Sequence, residues 1–122
     1  MRPGEQHTQS FVVRPQDCAH EWGNKGLMVL STPALIGHME SACVSALQTA
    51  LSEGTMTVGA AVQMRHLAKA DVNDLFTVTV KLLEVDGRKY QFQFEAHRGN
   101  TVLGNGSHLR IQIAQPAPVG AP

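Results

Sequence analysis

Apolar and polar positions recur with two different periods along this chain, and each change of period marks an element. Across residues 31–53 the repeat is helical. At about 100° per residue, Leu35, Ile36, Met39, Ala42, Cys43, Val44, Ala46, Leu47, Ala50 and Leu51 fill one broad arc, and His38, Ser41, Ser45, Gln48, Thr49 and Ser52 fill the other side. This pattern predicts one long helix of roughly five turns. Thr32 caps it ahead of Pro33, whose missing N–H is harmless there, and Gly54 stops it. Glu40 falls inside the apolar arc, the only charged side chain in it. A carboxylate turned toward a core is expensive unless paired or functional.

Elsewhere the period is two. Residues 8–14 read as a short strand ended by Pro15, and residues 16–30 as an irregular loop that packs Trp22. Residues 56–68 alternate strictly: Met56, Val58, Ala60, Val62, Met64 and His66 share one parity, so His66 lies on the apolar face unless a bulge intervenes. Phe76, Val78, Val80 and Leu82 mark the next strand, Asp86-Gly87 a hairpin turn, and Tyr90, Phe92, Phe94 and Ala96 its partner. After a turn at Gly99-Asn100, residues 101–113 form the last strand, with a bulge expected at Gly104-Asn105-Gly106. One strand, one helix and four strands in hairpin succession make an α+β domain with an antiparallel sheet. A single helix covers one face, so the sheet is expected to curl around it, and its open edges invite a dimer.

Composition narrows this picture. At 122 residues the chain suits one core, and the expected bounds are a loose N-terminus over residues 1–7, the domain over 8–113 and a disordered Pro/Ala/Gly-rich tail over 114–122. Ten basic residues balance ten acidic ones with no basic cluster, which argues against nucleic acid or an anionic membrane surface as a partner. Cys18 and Cys43 do not form a disulfide framework. With no signal-peptide pattern and no apolar run of membrane-spanning length, a soluble cytoplasmic protein is expected. The histidines and cysteines lack metal-ligand spacing, and no phosphate loop or Gly-x-Ser-x-Gly elbow is present, so neither a metal nor a cofactor is expected.

Three side chains carry candidate chemistry. Thr32 stands at a helix N-terminus, where free N–H groups suit an oxyanion or a polarised carbonyl. Glu40, among apolar neighbours, has the environment of a strengthened base. His66 faces the helix and can shuttle protons. The plainer readings are a simple cap, a solvated acid and a core histidine. Gly59 reads either as a bulge or as a close approach to the backbone. Thr32 and Glu40 lie about 12 Å apart along the helix axis. Both can serve one carbonyl only if the first turn unwinds near Gly37 or if a partner subunit completes the site, and the second is favoured.

Thr32-Pro33-Ala34, Glu40, Glu53-Gly54, Thr57-Val58-Gly59 and His66-Leu67 together resemble the fluoroacetyl-CoA thioesterase-like branch of the hotdog-fold superfamily. Val85-Asp86-Gly87-Arg88, Phe94-Glu95-Ala96, Gly106-Ser107-His108 and Arg110 extend the likeness, which runs over residues 14–113. The resemblance implies a five-stranded antiparallel sheet wrapped around the long helix, a homodimer or larger assembly, and hydrolysis of an acyl-CoA thioester. It implies Thr32, Glu40 and His66 as catalytic residues, Gly59 beside the acyl group, and Arg110 near the coenzyme A arm or the site entrance. Where the fluoroacetyl-CoA enzyme carries an aromatic lid, this chain reads Gly23-Asn24-Lys25-Gly26. A broader or different small acyl group is therefore expected. The alternatives are a hydratase or dehydratase, which would want an aspartate beside His66 where only Asp71 is at hand, and a non-catalytic acyl-CoA-binding module.

Overall fold

In the computed structural model, which describes residues 1–117 and residue 120, five strands and one long helix follow in the order β1 (Gln6–Val12), α1 (Thr32–Leu47), β2 (Thr55–His66), β3 (Leu75–Asp86), β4 (Lys89–Arg98) and β5 (Thr101–Ala114). Two short 3-10 turns, Pro15–Asp17 and Ala19–Trp22, lie between β1 and α1. All strand pairs are antiparallel, in the spatial order β1-β3-β4-β5-β2. The expected α+β class and the sheet curled around the helix are both observed. Leu35, Met39, Ala42, Cys43 and Leu47 of α1 are buried in one core with Phe76, Val78, Val80 and Leu82 of β3, Phe92, Phe94 and Ala96 of β4, and Leu103 of β5.

The helix is shorter than its periodicity suggested, ending at Leu47 rather than at residue 53. Leu47 is its last fully buried residue. Beyond it the backbone makes tight turn bonds, Gln48 N to Ser45 O and Ala50 N to Leu47 O. Helical turns without a packed face are only marginally stable. Thr55 then bonds back to Ser52 O through its hydroxyl, and Gly54, with φ +79°, turns the chain into β2. At the other end the cap is Ser31, whose Oγ accepts from Ala34 N at 3.2 Å. Thr32 is the first helical residue, so its hydroxyl is free for other work.

Strand β1 begins at Gln6 and ends at Val12, earlier at both ends than the apolar pattern indicated. Its polar start is ordered by the ladder to β3, where Gly4 N donates to Leu82 O and Leu82 N donates to Glu5 O. Residues 4–7, expected to be loose, are thus tied to the sheet. Ala114 belongs to β5 and Gln115 N donates to Gly54 O. The remainder of the expected disordered tail includes residues 118, 119, 121 and 122, which lie outside the described residues. Trp22, expected to pack, is 58% exposed; its turn buries Cys18 and Ala19 instead.

Two strand irregularities decide which side chains face the helix. In β2 the register slips between Gly59, opposite Arg110, and Ala61, opposite Leu109, so Ala60 is an extra residue. The alternation therefore inverts: Thr57 and Gly59 face the helix before the bulge, and Val62, Met64 and His66 after it. Met56 and Val58, assigned inward by parity, point outward and are exposed. The bulge foreseen at residues 104–106 is absent there. β5 pairs regularly with β2 through Gly104 and Gly106, and its slip against β4 falls at Leu103. Those glycines serve close approach: a Cβ at Gly104 would lie 2.8 Å from Arg65 O, and one at Gly106 would overlap Gln63 O.

The segment before the helix is anchored by Asp17, a buried carboxylate. Arg14 donates to it from its backbone N–H and from its guanidinium, and His38 Nε2 of α1 stands 3.2 Å away. Burial works to raise the Asp17 pKa, but the bonds from Arg14 and His38 outweigh it and hold the group down at about 2. An unfolded aspartate titrates near 3.9, so this anchor contributes in full above about pH 4 and is lost as pH falls through 2. Urea unfolding at pH 5 and pH 2.5 should show a smaller acid-induced loss of stability in Asp17→Asn than in the unsubstituted chain.

Candidate active site

Because Ser31 caps α1, the Thr32 hydroxyl is available to a neighbour, and Thr32 Oγ1 lies 2.8 Å from His66 Nδ1 at the end of β2. The β2 bulge turns His66 toward the helix. Burial lowers the His66 pKa from its ordinary value, opposed by a hydrogen bond to the Ala68 backbone. At neutral pH the ring is thus a neutral base beside a hydroxyl and the free N–H groups of a helix start.

Glu40 lies two turns further along α1, over β2 and β5. Its carboxylate is 37% exposed and ion-paired, with Arg110 Nη1 donating to Oε2 at 3.0 Å. The expected apolar setting of an unpaired acid is therefore replaced by a charge partner from the last strand. Gly59 forms the wall against it: a Cβ there would lie 2.5 Å from Glu40 Oε2 and 3.2 Å from His108 Cε1. Of the two readings of Gly59, close approach applies to the residue itself, and the bulge falls on its neighbour Ala60.

Arg110 is 4% exposed. It donates from Nε to Thr57 Oγ1 and from Nη2 to Thr57 O, each at 2.9 Å. Its Nη1 also lies 3.0 Å from His108 Nε2. The guanidinium is thus committed within the protein rather than free at an entrance. It does border a groove of about 640 Å³ between the end of α1 and the start of β2, lined also by Val44, Gln48, Leu51, Met56 and Thr57.

Two clusters result: Thr32 with His66, and Glu40 with Gly59, Thr57, His108 and Arg110. Among the described residues nothing joins His66 to Glu40 within the chain, and Gly59 and His66 are about 20 Å apart along β2 at 3.3 Å per residue. The first helical turn is regular, so unwinding near Gly37 does not bring Thr32 to Glu40. Sequence reasoning did not assign roles to Thr57 and His108. The available signal was the shared parity of His108 and Arg110 on β5, opposite Val62 and Gly59 of β2. Among the described residues no group of His, Cys, Asp or Glu is placed to hold a metal ion, and no helix is long and apolar enough to cross a membrane.

Two outcomes test this geometry. Gly59→Ala should keep the fold, with a stability loss of about 1 kcal/mol, while its methyl displaces the Glu40 carboxylate from Arg110 in a crystal structure. Burial of a neutral His66 contributes stability that is complete above its unfolded pKa of about 6.5 and falls as pH drops through the lower folded value. Urea midpoints measured from pH 7.5 to 5 should therefore decline less in His66→Gln.

The family described as "Fluoroacetyl-CoA-specific thioesterase" matches residues 13–116. The fluoroacetyl-CoA thioesterase of Streptantibioticus cattleyicolor is 34% identical over 119 residues, covering 93% of this chain and 86% of that protein. An alanine variant of the fluoroacetyl-CoA-specific thioesterase FlK, solved with fluoroacetate and CoA, superposes with a TM-score of 0.88 at 32% identity, over 93% of this chain and 96% of the other. A hot-dog-like protein from Thermanaerovibrio acidaminovorans shares the fold at 23% identity, with a TM-score of 0.86 over 94% and 85% of the two chains. Fold, family match and relatives together make this chain a member of the fluoroacetyl-CoA-specific thioesterase family, on the hotdog fold.

Proposed function

We propose that this protein hydrolyses a small acyl-CoA thioester to the free acid and coenzyme A, and that it works as a homodimer in the cytoplasm. The observation that carries the reading is the pair of half-sites. One is a hydroxyl–imidazole pair at a helix N-terminus; the other is an arginine-held carboxylate over a glycine wall. A thioester carbonyl accepts from the Thr32 hydroxyl and nearby N–H groups as negative charge develops on its oxygen. Glu40 either takes a proton from the attacking water or attacks the carbonyl itself to form a mixed anhydride. In the first case the proton that Glu40 takes from water passes on to the departing thiolate, with His66 assisting the transfer. In the second, water then cleaves the anhydride to the free acid and restores the Glu40 carboxylate, its proton going to the thiolate. Gly59 leaves room for the acyl group beside Glu40, and Arg110 holds that carboxylate in place.

A second copy supplies what one chain lacks. β2 is a sheet edge, with β5 on one side and, among the described residues, no further strand on the other. Antiparallel pairing of two β2 edges about a point between Val62 and Gln63 sets Gly59 of one copy opposite the other copy's His66. Each Glu40 then shares a site with the other subunit's Thr32 and His66. The loop Gly23-Asn24-Lys25-Gly26 offers no aromatic ring for a lid, which supports an acyl group other than, or broader than, fluoroacetyl. The hydratase reading finds less support: His66 partners Thr32, and Asp71 is engaged with Lys69 and with Asp74 through its backbone.

Free-thiol release from a panel of short acyl-CoAs tests the reading. Glu40→Gln should lower kcat by about 10²–10⁴-fold, and Thr32→Ala by about 10²-fold. Release unaffected by Glu40→Gln would discard this mechanism, and no release from a well-folded dimer with any acyl chain would discard the activity. In a single turnover in labelled water, oxygen incorporated into Glu40 marks direct attack; its absence marks general-base catalysis.

A further inference from the structure

We propose that His108 is a positioning residue for Glu40: as a neutral imidazole accepting from Arg110 at Nε2, it locks the guanidinium that holds the Glu40 carboxylate over Gly59. The inference rests on reading Glu40 as the reacting carboxylate.

His108 is 1% exposed, and both ring nitrogens are engaged. Nδ1 is 2.8 Å from the Ala61 carbonyl beside the β2 bulge. A carbonyl only accepts, so Nδ1 carries the hydrogen. Nε2 is 3.0 Å from Arg110 Nη1, and a guanidinium only donates, so Nε2 offers its lone pair. The two neighbours together dictate one tautomer and leave no place for a second proton. Arg110 Nη1 is shared between His108 Nε2 and Glu40 Oε2, while the other side of the guanidinium is fixed on Thr57. Without His108, Nη1 keeps only the half-exposed carboxylate to orient it.

Protonation would undo the lock. An imidazolium at this position places an N–H against Arg110 Nη1 and a second cation beside a buried one. Its nearest acceptor is Glu40 Oε2, 3.8 Å from Nε2, so the carboxylate would be drawn toward His108. The ionisable groups around the ring are few. From α1 come Glu40 and Cys43, whose thiol burial pushes up to about 12. β5 contributes Arg110. β2 offers only the Ala61 carbonyl and the Thr57 hydroxyl, and β4 offers Phe92 opposite His108 and Tyr90 opposite Arg110, the Tyr90 hydroxyl being bonded to Gln112. Burial lowers the His108 pKa; the Ala61 bond opposes this, Arg110 reinforces it and Glu40 opposes it. The lock therefore holds at neutral pH and opens in acid.

The test uses the full chain. Nitrogen NMR of labelled histidines should show His108 as the Nδ1–H tautomer, taking up its second proton at a lower pH than an ordinary histidine; an Nε2–H tautomer or an ordinary titration would overturn the proposal. In parallel, thiol release is followed from pH 8 to 4.5. His108→Gln keeps an oxygen acceptor for Arg110 but cannot titrate. It should retain kcat within about threefold at pH 8 and lose activity less steeply in acid. His108→Phe should lower kcat at least tenfold at pH 8 with KM little changed, and the deficit should narrow in acid. A working enzyme whose pH profile is identical in His108→Gln overturns the positioning role alone. A chain that releases no thiol from any acyl-CoA overturns the thioesterase reading and the role built on it. If His108→Phe does not fold, the NMR tautomer and the His108→Gln profile still decide.

Discussion

A guanidinium carried into the interior has to be met by a negative charge and by acceptors for its N–H groups, and the side of this domain between α1, β2 and β5 is arranged around that requirement. Arg110 finds its counter-charge in Glu40 and its acceptors in Thr57 and His108. Removing one partner from such a pair costs more than the pair itself contributes, because the remaining charge stays buried. This coupling explains why a carboxylate sits on the apolar arc of the helix. It also explains why β2 must change parity, since Thr57 and Gly59 have to face Arg110 and Glu40 while Val62, Met64 and His66 face the helix further on.

The second half-site follows from a local substitution of duties. A threonine ahead of proline at a helix start is ordinarily taken up in capping. Here Ser31 accepts the Ala34 N–H, and Thr32, one position on, turns its hydroxyl to His66. The hydroxyl–imidazole pair at the helix terminus and the arginine-paired carboxylate are thereby held about 12 Å apart along one helix. The two clusters lie at opposite ends of β2, which among the described residues is an edge strand of the sheet.

Several features are legible in the amino-acid order alone, and each is local. The central helix, the strand boundaries near Asp86-Gly87 and Gly99-Asn100, and the prominence of Thr32, Glu40, Gly59 and His66 follow from periodicity and from turn residues that act over a few positions. The errors share a cause as well. Periodicity extends the helix to residue 53 because Ala50 and Leu51 continue the arc, although Leu47 is the last residue of that arc to be fully buried. Strict alternation assigned Met56 and Val58 inward because one extra residue, Ala60, leaves no mark on composition. On β5 the apolar residues Leu109, Ile111 and Ile113 occupy the parity opposite to the buried His108 and Arg110, so the usual apolar-in rule points away from the site.

What the sequence by itself determined was the inventory: one helix, a set of antiparallel strands, and the polar side chains that stand out on them, since periodicity and turn chemistry act between near neighbours. Only the tertiary structure decided who meets whom. Seventy positions separate Glu40 from Arg110, and fifty-three separate Thr57 from Arg110. Contacts at that range are set by strand register, and along β2 one bulged residue, Ala60, shifts the side chains beyond it to the other face.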